Sequence, residues 1–236
     1  MLNSVAASSD TLSLYGQLAH YDKDTYILTD EIENKFHLVS FTTNAILKSC
    51  ELSDDYTTPC AAAVVGNRVY IACRNSHNIV AVTFQPAFSC IQVPLRFLFP
   101  RGLAAIAPNT LFVCDAAGLH EVNLGTLQCV CLIQLQDAVS VAVLPTGGFA
   151  LTAGSAIYMF DEDLNLQLSR TGVSPRQIIH DPGRDLVWYV DRDAVHLLNG
   201  PRLPTGLPPH LTGLILTPSN NLIVTEADTL HHVKLL

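Results

Sequence analysis

Thr25–Asp30 reads TYILTD, and the phrase returns at Arg68–Cys73 (RVYIAC), Thr110–Asp115 (TLFVCD), Gly148–Ala153 (GFALTA), Leu186–Asp191 (LVWYVD) and Asn221–Glu226 (NLIVTE). Each copy is rich in β-branched and aromatic residues, which suit a pleated and largely buried strand. The last residues of successive copies stand 43, 42, 38, 38 and 35 positions apart. A period of about 40 residues filled only by short strands predicts the blade of a β-propeller. Six copies predict an all-β, six-bladed ring with blades of about four antiparallel strands.

The flanks of each copy supply the rest of a blade. Upstream lie runs of small and apolar residues at Gln17–Tyr21, Cys60–Val65, Gly102–Ala107, Val139–Leu144, Gln177–His180 and Gly213–Thr217. Small side chains such as Ala61, Ala62, Ala63, Ala104 and Ala105 fit the crowded innermost strand beside a central channel. Pro108, Pro145, Pro182 and Pro218 then mark the turn into the repeated phrase, because proline cannot continue a central strand. Third strands follow at Phe36–Phe41, Ile79–Phe84, Leu119–Leu124, Ile157–Asp161, Val195–Asn199 and Leu230–Leu235. Outer strands are expected at Ala45–Leu52, Phe88–Leu95, Leu127–Leu135 and Asn165–Arg170, while Pro201 and Pro204 interrupt the fifth. The sixth blade ends without an outer strand of its own. Thr11–Leu14 (TLSL) is expected to supply it, so that residues 1–236 form one domain closed by its N-terminal strand.

Hydrophobic residues make up 49% of the chain and charged residues 14%, as expected of a large buried core. No apolar stretch approaches the roughly 18 residues that cross a bilayer. The first residues, MLNSVAASSD, lack a basic and apolar leader. A soluble protein of the cytoplasm is the expectation, and the odd count of 7 cysteines fits reduced core thiols there. Cys129 and Cys131 share one strand face, but without the turn-borne spacing of zinc knuckles. A formal net charge of −8 with 13 scattered basic residues argues against nucleic acid and against anionic membranes as partners.

Arg68–Phe84 (RVYIACRNSHNIVAVTF) resembles an NHL-type repeat, and Thr25–Phe41 (TYILTDEIENKFHLVSF) is similar. Later copies keep the frame with shortened turns, as in TLFVCDAAGLHEVNL. Repeats of the WD40, kelch and sialidase kinds are disfavoured, because their per-blade signatures are absent. The resemblance implies a six-bladed superfamily that holds protein-binding platforms, RNA-binding faces, and metal-dependent lactonases and lyases. Function therefore rests on side chains at the channel mouth.

Four acids end the repeated phrase, Asp30, Asp115, Asp191 and Glu226, with Cys73 and Ala153 in the other two copies. Oxygen ligands around a channel suit Ca²⁺ or a general base. A recurring acid also suits a recurring turn, where it accepts backbone N–H bonds, and that is the favoured expectation. Arg101 (PRGL) and Arg176 (PRQI) occupy matching positions before two innermost strands, where they would clamp an anion or neutralise turn acids. His37, His120, His196 and His231 recur as the second residue of the third strand, too far from the axis for a shared metal, and are expected to pack between blades or to form a solvent-facing row. His180 and His210 add polar groups near the channel. No nucleophile elbow, P-loop, zinc-protease or dinucleotide motif occurs. The expected function is a non-enzymatic scaffold for a protein partner, without cofactor. The alternative is a Ca²⁺-dependent hydrolase or lyase of the lactonase-like type, drawing ligands from the four acids and using Arg101 or Arg176 to hold an anion.

Overall fold

The computed structural model describes residues 2–6, 16–40, 42–43, 45–106, 108–200, 203, 207, 210–217, 221–226 and 229–233. β1 (Leu2–Ala6) comes first. Four strands then make one sheet: β2 (Leu18–Asp22), β3 (Thr25–Asp30), β4 (Lys35–Ser40) and β5 (Ala45–Glu51). The next sheet holds β6 (Pro59–Val65), β7 (Arg68–Cys73), β8 (Asn78–Thr83) and β9 (Ser89–Gln92). β10 (Gly102–Ile106), β11 (Thr110–Cys114), β12 (Gly118–Asn123) and β13 (Gln128–Gln134) follow, then β14 (Ala138–Val143), β15 (Phe149–Ala153), β16 (Ala156–Phe160) and β17 (Leu166–Thr171). β18 (Gln177–Asp181), β19 (Leu186–Val190) and β20 (Val195–Leu197) form a sheet of three strands among the described residues. β21 (Leu211–Leu216), β22 (Leu222–Glu226) and β23 (Thr229–Val233) complete the chain. All pairings are antiparallel, and the sheets are arranged as a β-propeller.

The period-two alternation of the repeated strand explains its continuous apolar character. Val69, Ile71 and Cys73 of β7 pack toward the β2–β5 sheet beside Ile27 and Phe36, whereas Tyr70 and Ala72 pack toward Leu111 and Val113 of β11. Both faces are covered, so the strand is apolar on each, and its polar residues Thr29, Thr152 and Thr225 are fully buried and hydrogen-bonded to the neighbouring innermost strand. The same handover repeats around the molecule, with Phe112 against Phe149 and Leu151, Ala150 and Ile157 against Tyr189, and Trp188 against Leu214 and Leu222. Ile215 and Ile223 then meet Tyr26 and Leu28 of the first sheet. The stack thus returns on itself, and among the described residues six apolar clusters lie between neighbouring sheets.

Closure is reinforced at the strand level. β1 pairs with β23 over five residues, from Leu2 opposite Val233 to Ala6 opposite Thr229, and gives that sheet the order β1-β23-β22-β21. The strand that pairs with β23 is Leu2–Ala6, and the expected Thr11–Leu14 falls outside the described residues. The second outer strand is shorter than expected, Ser89–Gln92 in place of Phe88–Leu95.

Innermost strands also bond across the gaps. The Ile178 amide donates to Ser140 Oγ at 3.3 Å, the Leu214 amide to Gln177 Oε1 at 2.7 Å, and the Gln17 amide to the Cys60 carbonyl at 3.2 Å. Gly102 permits one such close approach, since a Cβ there would lie 2.3 Å from the Val139 carbonyl oxygen. Arg101 stands immediately before it. The absence of a side chain at 102 therefore brings the arginine's backbone against the next sheet. No helix of the described residues is long and apolar enough to cross a membrane.

Candidate functional site at the channel mouth

The four recurrent acids do not converge. Asp30 Oδ1 accepts from the Ile32 and Glu33 amides at 3.0 and 2.9 Å. Asp115 Oδ1 accepts from Ala117 and Gly118, and its Oδ2 accepts from the Leu98 amide at 2.9 Å. Asp191 Oδ1 accepts from Asp193 and Ala194. The Oδ1 contacts are Asx-type turns within one blade each, and Asp115 Oδ2 also holds the connector that leads from β9 to β10.

The acids also account for the histidine row. His120 Nε2 lies 2.9 Å from Asp115, His196 Nε2 2.8 Å from Asp191, and His231 Nε2 2.9 Å from Glu226. His37 Nε2 stands 3.7 Å from Asp30 Oδ2, beyond hydrogen-bond length, while its Nδ1 is 2.8 Å from Ser49 Oγ. In each case the histidine faces the residue two before the acid: Leu28 opposite His37, Val113 opposite His120, Tyr189 opposite His196 and Val224 opposite His231. That register puts acid and imidazole on one side of the sheet. Where the acid is replaced, the histidine is too: Cys73 goes with Val80, and Ala153 with Tyr158. The histidines expected to pack between blades are thus partners of the turn acids. Burial would raise the Asp30 and Asp115 carboxyls, but the nearby His37 at Asp30, the bond from His120 at Asp115 and the turn amides at both outweigh it and hold both below the usual range.

A different set meets at the mouth. Gln17, Glu31, Cys60, Arg74, Arg101, Val139, Pro175, Arg176 and Thr212 line a cavity of about 180 Å³. Its charged members come from four sheets. Glu31 follows β3 and Arg74 follows β7, each one residue past the position of the recurrent acid. Arg101 and Arg176 precede β10 and β18 and are fixed by their amides, which donate to the Cys114 and Val190 carbonyls, each at 2.8 Å. Arg74 Nη2 pairs with Glu31 Oε2 at 3.0 Å, and Arg101 Nη1 lies 3.9 Å from the exposed Asp137. Arg101 Nε is buried without a hydrogen-bond partner. Burial pushes the Glu31 carboxyl above its ordinary value, and the pull of Arg74, then of Arg176 and Arg101, does not cancel it. All three guanidiniums act on this one carboxylate. The mouth of an acidic protein is thereby a cationic cup.

Cys60 is not available as a nucleophile, because burial pushes its thiol far up and its Sγ donates to the Pro100 carbonyl at 3.2 Å. Ca²⁺ does not fit either. Among the described residues no three His, Cys, Asp or Glu groups stand together as a metal set, and three guanidiniums repel a cation from the mouth. Of the six residues singled out in the sequence, Arg101 and Arg176 line the cup, whereas Asp30, Asp115, Asp191 and Glu226 bond within their blades. Sequence reasoning missed Arg74, Glu31 and Gln17. The position just after the acid carried the signal for the first two, since neighbours on an extended chain point opposite ways.

No family model matches the chain, and no curated protein matches its sequence. Solved structures do match. A putative gluconolactonase aligns at 13% identity with a TM-score of 0.78, over 99% of this chain and 92% of its own. The likeness is one of fold. A catalytically inactive histidine-to-alanine virginiamycin B lyase from Staphylococcus aureus, solved with Quinupristin, aligns at 12% identity and a TM-score of 0.70 over 100% of this chain and 99% of its own. A streptogramin B lyase aligns at 10% identity and a TM-score of 0.65, over 100% and 98%.

Proposed function

We propose that this propeller acts on a small anionic molecule at the channel mouth as a hydrolase or lyase, with Arg74, Arg101 and Arg176 holding the anion and Glu31 moving the proton. The convergence of Glu31 and the three arginines from four sheets on one small cavity carries this reading. The lyase and lactonase names among the structural neighbours favour it over the scaffold first expected.

Guanidinium forks bind carboxylate or phosphate through paired N–H bonds, and partial burial strengthens each contact. The unpartnered Arg101 Nε supplies a donor already stripped of water. An anion bound here competes with Glu31 for Arg74. Released from that pair, a carboxylate held above its ordinary value is a better proton acceptor than one in solution. The arginines meanwhile stabilise negative charge that develops on a leaving or enolising oxygen. No step is assigned to a metal.

The test is turnover of a panel of carboxylate-bearing lactones and esters by the wild type, Glu31→Gln and Arg101→Ala/Arg176→Ala. Glu31→Gln is expected to bind the substrate and lose turnover, while the double arginine variant loses binding. Unchanged turnover in both variants, or none in the wild type alongside no measurable binding of the panel, would overturn the proposal.

A further inference from the structure

Just before Arg101 in the chain, outside the cup's own lining, stands an exposed apolar pair. Leu98 and Phe99 are exposed, 49% and 41% accessible, in the connector between β9 and β10. Phe99 holds a φ of 54°, a left-handed backbone that bulky residues rarely adopt. A glycine would be the ordinary occupant. Strained exposed aromatics persist only where the surroundings fix them.

The surroundings do so from both sides. Phe99 donates its amide to His77 Nδ1 at 3.2 Å, and the two rings pack with centroids 4.2 Å apart. His77 also accepts the Phe97 amide on its carbonyl, at 3.3 Å. On the other side the Leu98 amide donates to Asp115, and the Leu98 carbonyl accepts from Ala116 at 2.7 Å. The segment is therefore pinned to the turns of two blades.

These turns are the ones that build the cup. His77 belongs to the turn that begins with Arg74, and its amide donates to the Arg74 carbonyl. Phe99 is separated from Arg101 only by Pro100, whose carbonyl accepts from Cys60 in the cup wall. The His77–Phe99 ring pair thus joins two arginine-bearing segments and leaves an apolar ridge next to them.

We infer that Leu98 and Phe99 are specificity residues, which receive an aromatic or branched apolar group carried close to the anionic group of the ligand. The inference rests on the cup's being the anion site. The ligand class is then an aryl or alkyl carboxylic acid derivative, in preference to a polyhydroxylated sugar acid. A ring packed against Phe99 is worth about three- to tenfold in affinity.

Calorimetric titrations with acetate, benzoate and gluconate test this on the wild type, Phe99→Ala, Phe99→Gly and Arg101→Ala/Arg176→Ala. Benzoate is expected to bind the wild type about three- to tenfold more tightly than acetate, with gluconate no better than acetate. Phe99→Ala brings the benzoate to acetate ratio to about one. Phe99→Gly suits the φ of 54° and keeps the melting temperature, so its loss of the ratio reports recognition and not folding. The double arginine variant loses all three ligands. An unchanged ratio in both Phe99 variants overturns the ridge while sparing the cup. Carboxylates that fail to bind the wild type, or bind the double arginine variant equally well, overturn the cup and the ridge together.

Discussion

Replacing Asp115 by alanine is expected to destabilise the protein by about 3–5 kcal/mol. The carboxylate is almost wholly buried, with 3% of the side chain accessible, and accepts from the amides of Ala117, Gly118 and Leu98 and from His120 Nε2. Bonds to a charged acceptor contribute about 1.5–3 kcal/mol each. Their simple sum overshoots, because water enters the vacated space and the turn amides relax. The total still takes a large share of the roughly 5–15 kcal/mol that holds a domain folded. A double-mutant cycle with His120→Ala isolates the pair, with about 1.5–3 kcal/mol of coupling expected for a buried carboxylate in direct contact with a part-buried imidazole. Urea unfolding supplies the free energies, provided the slope with denaturant is common to all variants. The pH dependence gives a second reading. The folded Asp115 carboxyl lies below its ordinary value of 3.8, so its stabilisation is fully present above that pH and lost as the pH falls through the folded value. The gap between wild type and Asp115→Ala is therefore constant near neutrality and closes in acid. A cost below about 1 kcal/mol, or a gap that widens in acid, would refute the assignment of this acid as the keystone of its turn.

Gly102→Ala should cost about 1–3 kcal/mol and weaken anion binding as well, because the new Cβ would meet backbone at Val139 and displace Arg101. Thermal melts and acetate titrations read the two effects separately. Glu31 behaves oppositely to Asp115: its folded value is raised, so the stability it contributes is present below the ordinary 4.5 and lost as the pH rises through the folded value. Wild type should therefore gain on Glu31→Gln as the pH is lowered, and parallel melting curves across that range would refute the burial of this carboxyl. Of the 7 cysteines, Cys129 and Cys131 are exposed while Cys50, Cys60, Cys73 and Cys114 are buried with thiols pushed upward, Cys73 to about 12. Thiol titration of the native protein should label Cys129 and Cys131 first and reach the four buried thiols only on unfolding.

The ring was legible because a strand buried on both faces leaves an unbroken apolar signature, and TYILTD or TLFVCD cannot be mistaken for a half-exposed strand. The closing strand was not, since LNSVA is a short run with little apolar pattern of its own and only the ladder with β23 marks it. At the mouth, Arg101 and Arg176 were visible as matched positions before two innermost strands. Glu31 and Arg74 were hidden by their neighbours. Asp30 drew attention as a recurrent acid, yet its side chain turns into the blade, and Glu31, which repeats nowhere, turns toward the arginines. The acid–histidine partnership could have been read from sequence by aligning the copies, because both members vanish together at Cys73/Val80 and Ala153/Tyr158.

The seam between β1 and β23 has a consequence for regulation of the cup. Glu31, Arg74, Arg101 and Arg176 belong to sheets that face one another only while the circle is shut. Any anion that settles among them acts as a clasp. By mass action it raises the free energy of opening the seam in proportion to the logarithm of its concentration above its dissociation constant. Occupancy and circular integrity are two readings of one equilibrium, so protease nicking at the N-terminal strand should slow as the ligand is added.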